Sequence, residues 1–144
     1  MVELTLPFLG PGRAAQQYPF ASLVSRGASL AFGSDWPVSS PDPLELLHVA
    51  VNRTEPGATA PSEVLLPEER LTLAQSLHAY TMGSAYVNHL DTETGSIEVG
   101  KFADLVVLDR DLIAAGPSDL LGGRVRLTFV AGEKVFEAAQ VGGR

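Results

Sequence analysis

The sequence predicts an α/β protein in which helices precede a small β unit. One basis is a continuous apolar run between two glycines, over residues 28–32, which suits a strand buried on both faces. A second is apolar residues at helical spacing, and a third is a set of strand-like runs in the last third of the chain. The 144 residues fit one ordinary domain but cannot close a (β/α)₈ barrel, which takes roughly 250.

The first part of the chain is predicted to be an irregular start, a short helix and the buried strand. Residues 1–18 are rich in glycine and proline, which break regular structure. A helix is predicted over residues 19–26, and Gly27 ends it. Because the strand at 28–32 follows, this stretch has the order of elements typical of the end of an α/β repeat.

Two helices in the middle of the chain are predicted from their capping residues. Asp42 is a good N-cap with Pro43 at the first helical position, and this helix runs to about Arg53. Thr72 and Gln75 have the spacing of a capping box, which predicts the start of the next helix. A loop rich in proline separates the two.

The pattern then changes from helical to strand-like. Gly83 is expected to interrupt the helix, with a short continuation over residues 85–90. The predicted strands cover residues 96–99, 103–108, 125–130 and 134–138. The strand at 103–108 is expected to be buried, and the last two form a hairpin around a glycine-containing turn.

Composition restricts the partners of the chain. Asp and Glu outnumber Lys and Arg by 17 to 10, a net charge of −7, which disfavours nucleic acid and anionic membranes because phosphate binding depends on cationic side chains. No cysteine is present, so disulfides and thiolate metal sites are excluded. The first residues do not resemble a signal peptide and no apolar run approaches a membrane span, so the expected location is cytoplasmic.

Asp35 is the sharpest candidate for chemistry. It follows the C-terminal end of the strand predicted at 28–32, and functional groups gather at such ends in parallel α/β folds. A carboxylate there can bind a metal or accept a proton from a metal-bound water. Spacing alone favours the alternative that Asp35 is a turn former. Trp36, beside it, either lines a pocket or serves packing.

Structural roles are preferred for the other polar candidates. His48, His78 and His89 form no His-x-His pair and none lies four residues from another, whereas zinc needs three or four ligands in suitable geometry. Arg53 can bind a carboxylate substrate or favour the helix C-terminus, and the second interpretation is preferred. Asp104 stands in an apolar run, which predicts that it accepts backbone or hydroxyl hydrogen bonds.

Four segments stand in an order and spacing that can be compared with known proteins. They are LAFGSDWPV at 30–38, ERLTLAQ at 69–75 with AYT at 79–81, GSIEVGKFADLVVLD at 95–109, and the hairpin at 125–137. Together they resemble the C-terminal portion of a metal-dependent amidohydrolase, and within that superfamily they look most like the third amidohydrolase family, which includes N-substituted formamide deformylases. The likeness extends from about Tyr18 to Glu137.

This resemblance implies a fold, a cofactor and a role for Asp35. In the family a TIM barrel holds one or two divalent metals, usually zinc, and a metal-bound water attacks an amide-like carbon. Asp35 matches the aspartate of the last barrel strand, so it is implied to be both a catalytic residue and a metal ligand. Residues 1–94 would be the C-terminal part of the barrel, its last strand and helices. Residues 95–144 would be the C-terminal strands of a small β-sandwich domain.

The chain also departs from the family pattern. The family's His-x-His pair, its Lys or Glu and its two later histidines have no counterpart here. The complete enzyme is expected to hydrolyse non-peptide carbon–nitrogen bonds in a small amide-like substrate with zinc or another divalent metal. Because one carboxylate cannot hold zinc tightly, the isolated chain is expected to bind none and to be inactive. Two alternatives stay open: one chain of a split enzyme with a complementary N-terminal chain, or a non-catalytic binding or structural module that forms a homo-oligomer.

Overall fold

The structure, a computed structural model, describes residues 5–58 and 64–139 and combines helices with one antiparallel sheet. The helices are α1 Leu6–Leu9, α2 Pro11–Ala14, α3 Phe20–Ser25, α4 Pro43–Asn52, α5 Leu73–His78, α6 Ser84–Val87 and α7 Leu112–Ala115. Shorter turns are the 3₁₀ segments Pro67–Glu69 and Pro117–Gly122 and the π-helical segment Ala79–Gly83. The strands are β1 Leu105–Leu108, β2 Val125–Val130 and β3 Glu133–Glu137. The predicted mixture of helix and sheet is confirmed.

Helix α4 begins as its capping residues predict and supplies the centre of the core. The Asp42 carboxylate accepts a hydrogen bond from the Leu44 amide at 2.8 Å, and Pro43 takes the first helical position. The helix packs against the 3₁₀ turn before β2 and against α5, and apolar residues recur on its buried face. The buried cluster consists of Leu44, Leu47, Val51, Leu112 and Leu120.

Helix α5 begins with the predicted capping box. The Thr72 hydroxyl accepts from the Gln75 amide at 3.2 Å, and the Gln75 side chain accepts from the Thr72 amide at 2.9 Å. Gly83 does not interrupt the helix as expected: the chain passes through the π-helical segment directly into α6. A Cβ atom at Gly83 would lie 2.0 Å from the Leu30 carbonyl oxygen, so only glycine allows this close approach.

The prediction of a buried strand at residues 28–32 is wrong. The segment has no strand structure, and Ala28 and Ala31 are exposed. Its backbone bonds go to helical neighbours: the Ala28 amide donates to the Leu23 carbonyl at 3.1 Å, and the Phe32 amide donates to the Ala79 carbonyl at 3.0 Å. A strand exists only when another strand satisfies its backbone groups, and the described residues place none beside this segment.

The sheet has the order β1-β2-β3, with β2 in the centre. The predicted hairpin is confirmed, since β2 and β3 are antiparallel neighbours joined by a turn that contains Gly132. The strand expected at 103–108 is β1, but it is not buried: Val106 and Val107 keep 56% and 43% of their surface exposed. The strand expected at 96–99 is absent, and bends and turns take its place.

The opening residues are more regular than expected. Residues 5–18 contain the two short helices α1 and α2, although the first four residues of the predicted irregular segment lie outside the described residues. Both helices have a proline in their first turn, where a missing backbone N–H costs nothing. None of the helices described, from α1 to α7, has the length and apolar character needed to cross a bilayer.

Candidate functional site

Asp35 lies at the apex of a loop that its own backbone closes. Its φ angle is 51°, in the left-handed region, and its carbonyl accepts from the Val38 amide at 2.8 Å. The Trp36 amide donates to the Ser34 hydroxyl at 3.1 Å, and the Ser39 hydroxyl donates to the Ser34 carbonyl. The Asp35 residue is exposed, and within the described part of the chain no group donates a hydrogen bond to its carboxylate. The loop therefore presents a carboxylate that is open to water.

Asp35 borders a cleft of about 730 Å³, a volume within the usual range for small-molecule sites. Aromatic rings line one wall: the ring centroids of Phe20 and Phe32 are 5.3 Å apart, as are those of Phe32 and Tyr80. Burial raises the pKa of the Tyr80 phenol. Trp36 neither borders this cleft nor packs inside the protein, because 66% of its surface is exposed.

Arg53 is the buried cation of the same cleft, and its role differs from both sequence interpretations. Its guanidinium donates to three backbone carbonyls, those of Leu65 at 2.8 Å and of Tyr18 and Gln17 at 3.2 Å each. It also lies 5.9 Å from the centre of the Phe20 ring. Burial lowers the pKa of Arg53, while nearby glutamates oppose that effect. The side chain therefore joins the end of α4 to two loops.

Glu69 is a buried carboxylate that the sequence pattern did not single out. It is 7% exposed, and it accepts from the Ser22 amide at 2.9 Å and from the Ser22 hydroxyl. These hydrogen bonds, the hydroxyl first, hold the pKa of Glu69 below its usual value. Because Ser22 lies in α3, this carboxylate fixes that helix against the turn before α5.

The three histidines do not gather around Asp35. His78 and His89 are exposed, whereas His48 is partly buried. Among the residues that the structure describes, no group of three or more His, Cys, Asp or Glu side chains has an arrangement that could hold a metal ion. Asp104 has the role expected for it, since its carboxylate accepts from the Ala131 amide at 2.8 Å and the Thr94 hydroxyl at 2.9 Å.

The hydrogen bonds of His48 indicate which of its ring nitrogens carries the proton in the neutral form. The Asn52 amide nitrogen lies 3.0 Å from Nδ1 and can only donate, so Nδ1 accepts and Nε2 carries the proton. Nε2 lies 3.0 Å from the Thr54 hydroxyl, to which it donates. Burial lowers the pKa of His48 from its usual 6.5.

His48 should make the protein less stable in mild acid. With the folded-state pKa below the unfolded value of 6.5, the unfolded chain binds the proton more readily, so stability falls as pH drops below 6.5 toward the folded pKa. Thermal unfolding of the wild type, His48→Gln and His78→Gln at pH 7.5 and 5.5 measures the effect. The melting-temperature loss on acidification should be smaller in His48→Gln, while exposed His78→Gln follows the wild type. Equal losses in all three proteins would contradict this assignment.

Comparison with known proteins places this site in a family context. The model of the amidohydrolase family matches residues 2–136. The chain is 36% identical over 120 residues to an N-substituted formamide deformylase of Arthrobacter pascens, covering 83% of this chain and 21% of that protein. It is 35% identical over 129 residues to the protein LONG AFTER FAR-RED 3 of Arabidopsis thaliana, covering 89% of this chain and again 21% of the relative.

A solved structure gives a matching fold. An amidohydrolase from Thermotoga maritima superposes with a TM-score of 0.59 at 27% sequence identity, over 84% of this chain and 26% of that one. The chain thus spans about a fifth to a quarter of the length of these relatives. The family resemblance of the four sequence segments is confirmed by these matches.

Proposed function

The chain belongs to the amidohydrolase family, and from that premise we propose that it forms part of a metal-dependent hydrolase acting on carbon–nitrogen bonds other than peptide bonds. The observation that carries the proposal is the placement of Asp35, an exposed carboxylate at the apex of a closed loop beside a cleft of about 730 Å³. A small amide-like molecule is the substrate class that this proposal implies.

The fold of the complete enzyme follows from the same premise. Residues 1–94 form the C-terminal part of a (β/α)₈ barrel, and residues 95–144 form strands of a small β-sandwich domain. Residues 28–32 then occupy the position of the last barrel strand, and they become a strand once neighbouring strands satisfy their backbone groups. The position of this segment, which is not helical and leads directly to Asp35, supports the assignment.

Asp35 acts in this proposal as the proton acceptor of the reaction. Since no group in the described part of the chain donates to this carboxylate, which borders the cleft, its lone pairs stay available for a substrate water. It orients that water by accepting one of its hydrogen bonds, and it takes the proton as the water attacks the amide carbon. The hydrogen bonds of the Ser34–Ser39 loop limit the movement of its backbone.

The described residues do not fit a metal centre by themselves. Zinc is held by three or four side chains in proteins, and the described residues contain no group of three or more His, Cys, Asp or Glu side chains that could hold a metal ion. The metal, whether zinc or another divalent ion, therefore needs ligands from another part of the complete protein. The reaction step attributed to this chain is limited to the proton acceptance by Asp35.

The purified chain alone is expected to take up no stoichiometric zinc and to hydrolyse no N-substituted formamide, because one carboxylate binds zinc weakly. Metal analysis after equilibration with zinc and dialysis, together with a formamide hydrolysis assay, measures both properties. The Asp35→Asn chain is the control and should give the same readings. A turnover that a chelator and Asp35→Asn both abolish would overturn the expectation.

A second arrangement of the same function is a split enzyme, in which a separate chain supplies the remaining strands and ligands. The backbone amides of residues 29–31 favour it, because they make no hydrogen bond within the described part of the chain, and unpaired backbone groups next to apolar side chains are a template for strand addition. Affinity purification of the tagged chain from its own cells distinguishes the two. Recovery of a second chain with a His-x-His pair supports the split enzyme, whereas recovery of the chain alone, without any partner, opposes it.

A further inference from the structure

We propose that the turn formed by residues 91–98 is a binding site for a monovalent cation, and that the ammonium group of Lys101 is the cation that fills it. The site lies between α6 and β1, away from the cleft at Asp35. It is made of oxygen atoms from the turn, which is the donor type that binds ammonium and potassium ions alike.

The oxygen atoms surround the Lys101 nitrogen at hydrogen-bonding distance. The ammonium donates to the Asp91 carbonyl at 2.5 Å, the Ser96 hydroxyl at 2.8 Å and the Thr94 carbonyl at 3.3 Å. An ammonium group has three N–H donors, so these three acceptors satisfy all of them. The Glu98 carboxylate, at 3.6 Å, supplies the opposite charge.

Two consecutive hydrogen bonds connect the Lys101 ammonium to the Glu98 carboxylate through the Ser96 hydroxyl. The Ser96 hydroxyl accepts from Lys101 and donates its own proton to the Glu98 carboxylate. The hydrogen bond from Ser96, followed by the charge of Lys101, holds the pKa of Glu98 below its usual value. The positive charge of Lys101 is therefore close to the negative charge of Glu98, and the Ser96 hydroxyl bridges the two.

The ammonium of Lys101 is largely shielded from solvent, unlike that of an ordinary surface lysine. The Lys101 side chain is 11% exposed, whereas that of Lys134, the second of the two lysines in the chain, is 49% exposed. Immobilising a lysine in this way costs side-chain entropy. The cost is offset only where the ammonium makes favourable contacts, as it does in this turn.

The filled site joins the helices to the sheet. Gly95 approaches α6 so closely that a Cβ atom would lie 2.7 Å from the Ala85 side chain. The Phe102 amide donates to the Glu93 carbonyl at 2.8 Å, and the Thr94 hydroxyl donates to Asp104 just before β1. The cation thus fixes the turn from which both connections start, so that the sheet keeps its position against α6.

Cation rescue of a lysine-free variant tests the proposal. Lys101→Ala is expected to lower the melting temperature by about 5 °C or more. The carbonyl groups of the turn lose their hydrogen-bond donor, and the Glu98 carboxylate loses the positive charge beside it. Ammonium or potassium chloride should restore much of this loss, since either ion fits the vacated position. Lithium and tetramethylammonium chloride at equal ionic strength should not. Lys134→Ala, the matched control, should show little loss and no difference between the four salts.

Two further measurements keep the outcome decisive. Acetylation of the folded wild type, followed by mass spectrometry, should modify Lys134 and leave Lys101 unmodified. Equal modification of both lysines would contradict the shielding of the Lys101 ammonium from solvent. Equal rescue of Lys101→Ala by all four salts, or rescue by none, would overturn the cation site. A Lys101→Ala chain that stays unfolded in every salt, including ammonium chloride, counts as rescue by none. Lys101→Met retains the stem without the ammonium, and salts should not rescue it.

Discussion

In a complete enzyme that contains this chain, Asp35→Asn is expected to lower kcat by about 100- to 10,000-fold, the usual contribution of a general base. The amide of asparagine has the shape of the carboxylate but cannot take a proton from an attacking water. A suitable complete enzyme is a chimera in which this chain replaces the homologous fifth of an N-substituted formamide deformylase. Formamide hydrolysis by the chimera and its variants is the measurement.

Asp42→Asn is the matched control for this experiment. Asp42 is also exposed and seven residues further along the chain, but its carboxylate caps α4, and asparagine caps helices equally well. The control should keep the activity and melting temperature of the unmodified chimera. If the kcat of Asp35→Asn stays within a few-fold of that of the unmodified chimera, the assignment of Asp35 as the general base is refuted. A loss in Asp42→Asn of the same size would show that the assay reports folding rather than chemistry.

Gly83→Ala is expected to cause the largest loss of stability of any single methyl addition, about 3 kcal/mol in the free energy of unfolding. The added carbon would meet the Leu30 carbonyl oxygen at 2.0 Å and the Ala31 Cα at 3.3 Å, and both are backbone atoms that cannot move by a rotamer change. The π-helical segment must then separate from residues 28–32. Urea denaturation monitored by circular dichroism measures the difference.

Gly12→Ala separates this clash from the general effect of replacing glycine. A Cβ atom at Gly12 meets no atom within 4 Å, and the residue lies in α2, where alanine is the better helix former. Its unfolding free energy should stay unchanged or rise slightly. If Gly83→Ala were as stable as Gly12→Ala, the close packing between the π-helical segment and residues 28–32 would be refuted.

The parts of the fold that could be predicted from the sequence are those determined by neighbours along the chain. The Asp42 cap and the Thr72–Gln75 capping box join atoms two or three residues apart, so local spacing contains the information. The hairpin is of the same kind, because a glycine turn brings its strands together. The apolar run at 28–32 predicts a strand from local sequence, but a strand also needs a neighbouring strand, and the described residues place none beside this segment.

The candidate site divides in the same way. Asp35 could be singled out from its place after the run at 28–32 and from a segment that resembles a known family, whereas its position beside an aromatic cleft depends on residues far along the chain. Glu69 and Ser22 are 47 residues apart, and no periodicity links them. Arg53 was noticed, but its binding to the Tyr18 carbonyl across 35 residues could not be foreseen from helix position alone.

Trp36, the sole tryptophan of the chain, stands next to Asp35 with two thirds of its surface in water. Indole emission from this protein consequently arises from one place, the loop that carries the proposed base. Any spectral shift when another polypeptide or a small molecule covers that loop is a local optical signal, and it needs no attached dye. The same chain therefore contains both a candidate reacting group and, one peptide bond away, a natural fluorophore to observe it.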